Sequence, residues 1–350
     1  MKKYFLILFC FISMFAHGQV LEKFINMGFG NIDKKDYKNA AVSFNAAKDL
    51  ITKNTDKMTI ARLYMGYSIV HYATGDQKRA LSDLEYAISV KRSFATLYNV
   101  RSSMYEERKN YNAALADLDT YLVYKPDNPQ IMTKKVRLLI KMKKYVAAKY
   151  MCNKLIEINP NDYNDCGLYA EVYRNEKKYD SGLYIVNKGL ALEPSNGKLY
   201  STRATLYHGM EKVDECEKDN LKSMEIDKEL EPYAYNNIAY YVDATRKDWK
   251  KMLEDCNKAI AVQPEFSYPY SNKGYALLML GRLEEGRTEL EKAGKMDPDN
   301  SYVMYYMAVY YQLQGKNSKS CALLKKALAI DMDDDINGKC MALQKQLKCN

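Results

Sequence analysis

The residues best equipped for chemistry in this chain are its cysteines, its carboxylates and its 32 tyrosines. Eight cysteines are present, and seven lie beyond residue 18: Cys152, Cys166, Cys216, Cys256, Cys321, Cys340 and Cys349. An odd number leaves at least one thiol unpaired. Cys152 ends one apolar helical face and Cys166 starts the next, so that pair is placed to meet, while a buried cysteine serves equally well as a small apolar residue. No CxxC spacing occurs, and His71 and His208 are the only histidines beyond residue 18. There is no GxSxG, no Walker loop, no HExxH and no glycine-rich turn joining a strand to a helix. The chain is therefore expected not to be an enzyme, and no cofactor is implied.

Residues 333–338, Asp-Asp-Asp-Ile-Asn-Gly, with Gln344 six residues on, have the look of the first half of a calcium loop. Oxygen ligands fall at its first, third and fifth positions and glycine at its sixth. Gln344 stands where a bidentate glutamate would supply charge, which weakens the site. The preceding Asp297-Pro298-Asp299-Asn300 shows that such acidic stretches also serve as ordinary turns. No metal site is assigned.

The helices that must position these residues are clearest in residues 267–300. Tyr270, Gly274 and Leu277 share one helical face, and Gly286, Leu290 and Ala293 repeat that stripe in a second helix. Gly281 falls in the turn between them, Asp297-Pro298 ends the second helix, and Asp299-Asn300 caps the next. The pattern recurs from starts at residues 21, 61, 95, 129, 163, 197, 232, 267 and 301. Small residues recur in the second helix at Ala40, Ala80, Ala114, Ala148, Gly182, Cys216 and Gly286, and unit ends carry Pro126, Pro160, Pro194, Pro264 and Pro298. Six additional residues enter near 55–60. One more is expected between the helices of the 232 unit, near residues 245–248. The 197 unit is the most degenerate, with Asn220 at an apolar position and Lys228 in place of proline.

This spacing resembles the tetratricopeptide repeat. The resemblance implies an all-α fold: a right-handed α-solenoid of nine helix-turn-helix repeats over residues 19–334, closed by a C-terminal capping helix over 335–350. One hairpin cannot bury both of its apolar stripes, so each must stack on its neighbours. In that family the first helix of each repeat lines a concave face through its second, fifth, ninth and twelfth positions. Here those positions give Tyr233, Asn236, Tyr240, Tyr268, Ser271, Tyr275, Tyr302, Tyr305 and Gln312 in the last three units, with Arg137 and Arg174 further up the wall. Thirteen other tyrosines, Tyr64, Tyr98 and Tyr270 among them, fall on packing positions. Tyrosine gives large contact area at little rotameric cost, plus a hydroxyl. The expected partner is a protein or peptide. Alternatives for the tyrosines are a glycan or cell-wall ligand stacked on the rings, or a groove filled by the chain's own terminal helix. The family's chaperone-tail clamp of lysine, asparagine and arginine is not found.

Residues 1–18 read as a signal peptide: Lys2-Lys3, an apolar run over 4–15, then Ala16-His17-Gly18, with cleavage before Gln19. No integral membrane segment is expected after it, and the chain is expected to be exported, periplasmic or secreted. The formal charge of +9 falls by two with the leader. Residues 125–154 hold nine basic residues against Asp127, which fits an acidic partner or, more simply, a solvated lysine-rich face. No nucleic acid is expected as a partner.

Overall fold

The structure is a computed structural model that describes residues 2–160, 162–329 and 334–349, with side chains except at 2–17, 163, 164 and 334. Among the described residues all regular structure is helical. The chain divides into two compact units, residues 1–158 and 159–350. The first holds four hairpins: α1 (Lys2–Asp33) with α2 (Tyr37–Asp49), α3 (Lys57–Ala73) with α4 (Gln77–Val90), α5 (Thr96–Glu107) with α6 (Tyr111–Tyr124), and α7 (Pro129–Lys141) with α8 (Tyr145–Ile158). The second opens with α9 (Tyr163–Asn175) paired to α10 (Tyr179–Leu192) and α11 (Gly197–Gly209) paired to α12 (Val213–Ile226). A composite helix follows, made of α13 (Glu231–Asn237), a π-helical turn at Ile238–Asp243 and α14 (Ala244–Arg246), and it pairs with α15 (Trp249–Val262). Then come α16 (Ser267–Met279) with α17 (Leu283–Met296), α18 (Ser301–Leu313) with α19 (Asn317–Ala329), and the single helix α20 (Asp334–Leu347).

Small residues let the two helices of a hairpin touch. A Cβ added to Gly274 would sit 2.7 Å from Leu290 and 2.9 Å from the Gly286 carbonyl oxygen. Leu290 and Ala293 are fully buried in return. Starts and stops follow the capping chemistry of the sequence. Asn128, Asn196 and Asn300 each accept from backbone N–H groups two or three residues on, as do Asp36, Asp56, Asp76, Asn110 and Asp248.

The extra residue of the 232 unit lies elsewhere than expected. The turn before α15 has the ordinary form, with Lys247 left-handed and Asp248 as N-cap, and the insertion is absorbed inside the helix by the π-helical turn. The other extra residue, in the 197 unit, forms a 3-10 turn at Lys228–Leu230 where sister units have proline.

α20 packs on α18 and α19 as the first helix of a further repeat would, burying Ile336, Cys340 and Leu343. Its outer stripe differs. Gly338, Ala342 and Lys345 are exposed where, one repeat earlier, Met304, Ala308 and Tyr311 pack against α19's hairpin. Cys349 returns to bond Cys321 on α19, with Cα atoms 5.5 Å apart. The disulfide is thus Cys321–Cys349, not the Cys152–Cys166 pairing considered from sequence. Cys166, Cys216, Cys256 and Cys340 are buried thiols. Among the described residues, no helix is long and apolar enough to cross a membrane.

The turns inside the hairpins need one left-handed residue. Gly75, Gly281 and Gly315 fill it in three, but six others use Lys35, Lys109, Lys143, Lys177, Glu211 and Lys247 at φ between 55° and 59°. A side chain there costs about 1–2 kcal/mol, partly offset by the greater unfolded-state freedom glycine would bring. Lys35→Gly and Glu211→Gly are therefore each expected to stabilise the chain by roughly 0.5–1 kcal/mol. The check is the midpoint of chemical denaturation followed by helicity, which should rise in each variant and further in the double.

Candidate binding surface

The second unit gathers the tyrosines on the inner side of its first helices, and it treats them in two ways. Tyr240 lies in the π-helical turn and is only 8% exposed. Its hydroxyl donates to Asp335 and accepts from Lys339 Nζ at 2.7 Å. Lys339 also pairs with Asp335 at 2.8 Å and rides 4.5 Å above the Tyr240 ring. Tyr275 stacks on Tyr306 at 4.4 Å and meets Trp249 edge-on at 5.7 Å. Tyr302 and Tyr305 pack against the cluster that holds Ile336, Cys340 and Leu343 of α20. Ser271 is fully buried, its hydroxyl donating to the Tyr268 carbonyl at 2.7 Å.

Burial pushes the phenols of Tyr240, Tyr275 and Tyr305 upward, with neighbouring Tyr302 and Tyr275 adding to the effect on the first and last. Burial would raise Asp335 as well, but Lys339 and the Tyr240 hydroxyl outweigh it and hold its carboxyl below the ordinary range. Tyr240 and Ser271 are thus corrected as partner contacts: both are buried, Tyr240 beneath Asp335 and Lys339 of α20. The terminal helix fills that part of the wall, one of the outcomes considered above.

The other half of the row stays accessible. Tyr233 is 41% exposed. Its ring lies 5.0 Å from Phe266, which lies 5.7 Å from Tyr268, which lies 5.9 Å from Tyr302. Four rings from three repeats form one half-buried row at the starts of α13, α16 and α18. Asn236 beside it accepts from Asn272, whose own oxygen accepts from Tyr306. Gln312 is half-buried near the other end of α18. Phe266 was missed in the sequence because it stands outside the helix. The signal was there: it occupies the N-cap position, where Asn128, Asn196 and Asn300 stand in other repeats, and it makes no side-chain cap.

Arg174 is half-buried at the end of α9, away from the ring row in sequence and contact, and Arg137 is exposed on α7 in the other unit. In that first unit, inner positions are tied to one another. Lys134 donates to Asn99, Ser102 and Ser103 at 2.7–3.0 Å, and Lys141 pairs with Glu106 at 2.7 Å. Burial lowers the Lys134 ammonium. Among the described residues no group of three or more metal-ligating side chains converges. Residues 334–338 begin α20 instead of wrapping a loop, Asp335 is held by Lys339, and Asp333 lies outside the described residues.

Residues 268–300 match the family model of the tetratricopeptide repeat. The helical hairpin they define recurs through the chain, which has the fold of a tetratricopeptide-repeat array. No curated protein matches it in sequence. It is similar in fold to a monomeric mutant of IFIT1 solved with m7Gppp-AAAA, with 14% identity, a TM-score of 0.56, 93% of this chain and 81% of that one covered. The human IFIT1 dimer with the same oligonucleotide gives 13% identity, a TM-score of 0.55 and coverage of 91% and 79%. Yeast Tom70 matches at 14% identity over 94% and 96% of the two chains, with a TM-score of 0.45.

The bonds of Tyr240 make the seat of α20 sensitive to mutation and to acid. Tyr240→Phe removes a hydroxyl that serves a carboxylate and an ammonium, and is expected to cost about 1–3 kcal/mol. Because Asp335 is held below its ordinary range, its contribution is present above that range and lost as pH falls through it. Hydrogen exchange of residues 335–347 should quicken in Tyr240→Phe and, in the wild type, on acidification below about pH 4. Lys339→Met is expected to abolish the acid step.

Proposed function

We propose that this chain is an exported scaffold that holds a protein or peptide partner on the inner side of its second unit. A repeat fold of this kind serves as an interaction scaffold, and the partner is what the proposal adds. The observation that carries it is the row of Tyr233, Phe266, Tyr268 and Tyr302, rings from three repeats that brace one another and keep part of their surface exposed, whereas the neighbouring Tyr240 is packed away. Aromatic rings fixed by one another on rigid helices give contact area without further ordering cost. Asn236 supplies a hydrogen-bonding group at its edge. The role is one of binding, with no chemical step assigned.

Export is supported by the leader pattern of residues 1–18 and by the Cys321–Cys349 bond, which requires an oxidising compartment.

A photoreactive phenylalanine analogue at position 268 should give discrete protein adducts in the cell envelope, lost when Tyr233→Ala and Phe266→Ala are added. Retention of the chain on protein-free peptidoglycan or a glycan array, sensitive to the same two substitutions, would replace the proposal by sugar stacking. IFIT1 was solved with a capped RNA oligonucleotide, so a single-stranded RNA of that kind is a third arm. Ring-dependent binding to it would overturn the protein assignment.

A further inference from the structure

Three hairpins tie their two helices by one charge pair. Arg101 donates to Asp117 and Arg203 to Asp219, at 2.7–2.9 Å and a spacing of sixteen residues, and Lys273 meets Glu289 at 2.8 Å at the same repeat positions. In the hairpin of α13 to α15 the acid is kept as Asp255, 4% exposed, but the cation's position is Ile238. The π-helical turn that begins at Ile238 instead buries Asp243 completely. Neither oxygen of Asp243 meets a hydrogen-bond donor. Where sister hairpins set a base against this acid, the charge of Asp255 here acts on the buried carboxyl of Asp243.

The surrounding cations are committed. Lys251 Nζ is 3.7 Å from Asp243 but 2.8 Å from Glu217 on α12, and Arg246 of α14 also bonds Glu217. Lys258 donates to Asp255 at 2.9 Å. On the far side of the turn, His208 of α11 stacks on Tyr241.

We propose that the buried Asp243 holds a proton in the π-helical turn, and that its release loosens this turn and with it the hold of Tyr240 on α20, forming a proton-operated latch between the inner wall and the cap. A second carboxylate charge beside that of Asp255, at two buried positions, is costly. Protonated, Asp243 gains the one thing its site lacks, a donor hydrogen directed at Asp255. Burial first, and the Asp255 charge second, push Asp243 up to about 7, against the pull of Lys251. Its folded value lies above its ordinary one, so the stability it lends is full below the usual carboxylate range and is lost as pH rises through about 7. Tyr240 lies three residues before Asp243 in the same turn, so any rewinding that lets Asp243 reach water withdraws the Tyr240 hydroxyl from Asp335 and Lys339.

Trp249 is the chain's only tryptophan and begins the helix that carries Asp255, which makes its fluorescence a local reporter. In the full chain, titration from pH 5 to 9 should show one step near 7, with hydrogen exchange of 238–243 and 335–343, corrected for intrinsic rate, rising across it. Asp243→Asn should erase the step. The ratio of its folding equilibrium constant to that of wild type should be at least tenfold larger at pH 8.5 than at pH 5. Asp255→Asn should move the step at least one pH unit lower, a readout available if the first variant folds poorly. His208→Gln should leave the step in place. A wild type without the step, an Asp243→Asn offset equal at both pH values, an unmoved step in Asp255→Asn, or a step lost with His208 would each overturn the latch.

Discussion

A helical hairpin with an apolar stripe on both helices has nowhere to hide the second stripe except against another hairpin, and every other feature of this chain answers to that constraint. It sets the close approach at Gly274 and Gly286, where any added carbon would collide with a carbonyl or with Leu290. It places Leu63, Leu97, Leu138 and Leu206, all fully buried, at the seams between successive hairpins. It also explains the inner wall. Residues that point away from the seams are released from packing and become available for charge ties, as with Lys134 and Lys141, or for rings, as in the second unit.

The hairpin of α13 to α15 meets the constraint with one residue too many. A loop insertion would have left its packing untouched, whereas a π-helical turn turns the helix about its axis and changes which side chains reach the interior. Asp243 goes in and Tyr240 is held where α20 can bond it. One added residue thus links the inside of a repeat to the end of the array.

The repeat period, helix pairing, small-residue contacts and most caps were legible in the sequence because each is fixed by neighbours three, four or thirty-four residues away. Pro298, Asn300 and Gly281 each carry their meaning locally. What was not legible depended on distant partners. Nothing near Tyr240 in sequence announces Asp335 and Lys339, so it read as surface. The position of the insertion was misread because Thr245 to Asp248 looks like a turn and a π-helical turn has no compositional mark. Six left-handed positions were hidden because lysine or glutamate fills them. Phe266 was passed over because attention fell on helical positions, although an aromatic at an N-cap is itself out of place.

The outer stripe of α20 has a further consequence. A stack of hairpins that ended on an apolar seam would offer the next molecule the same surface that α18 offers α20, and head-to-tail addition of that kind does not close on itself. Gly338, Ala342 and Lys345 remove that template. Cys349, bonded back to Cys321, keeps the terminal helix from peeling off and baring the seam beneath. The outer stripe of α20 therefore offers another molecule a poorer seam than the one α18 offers α20.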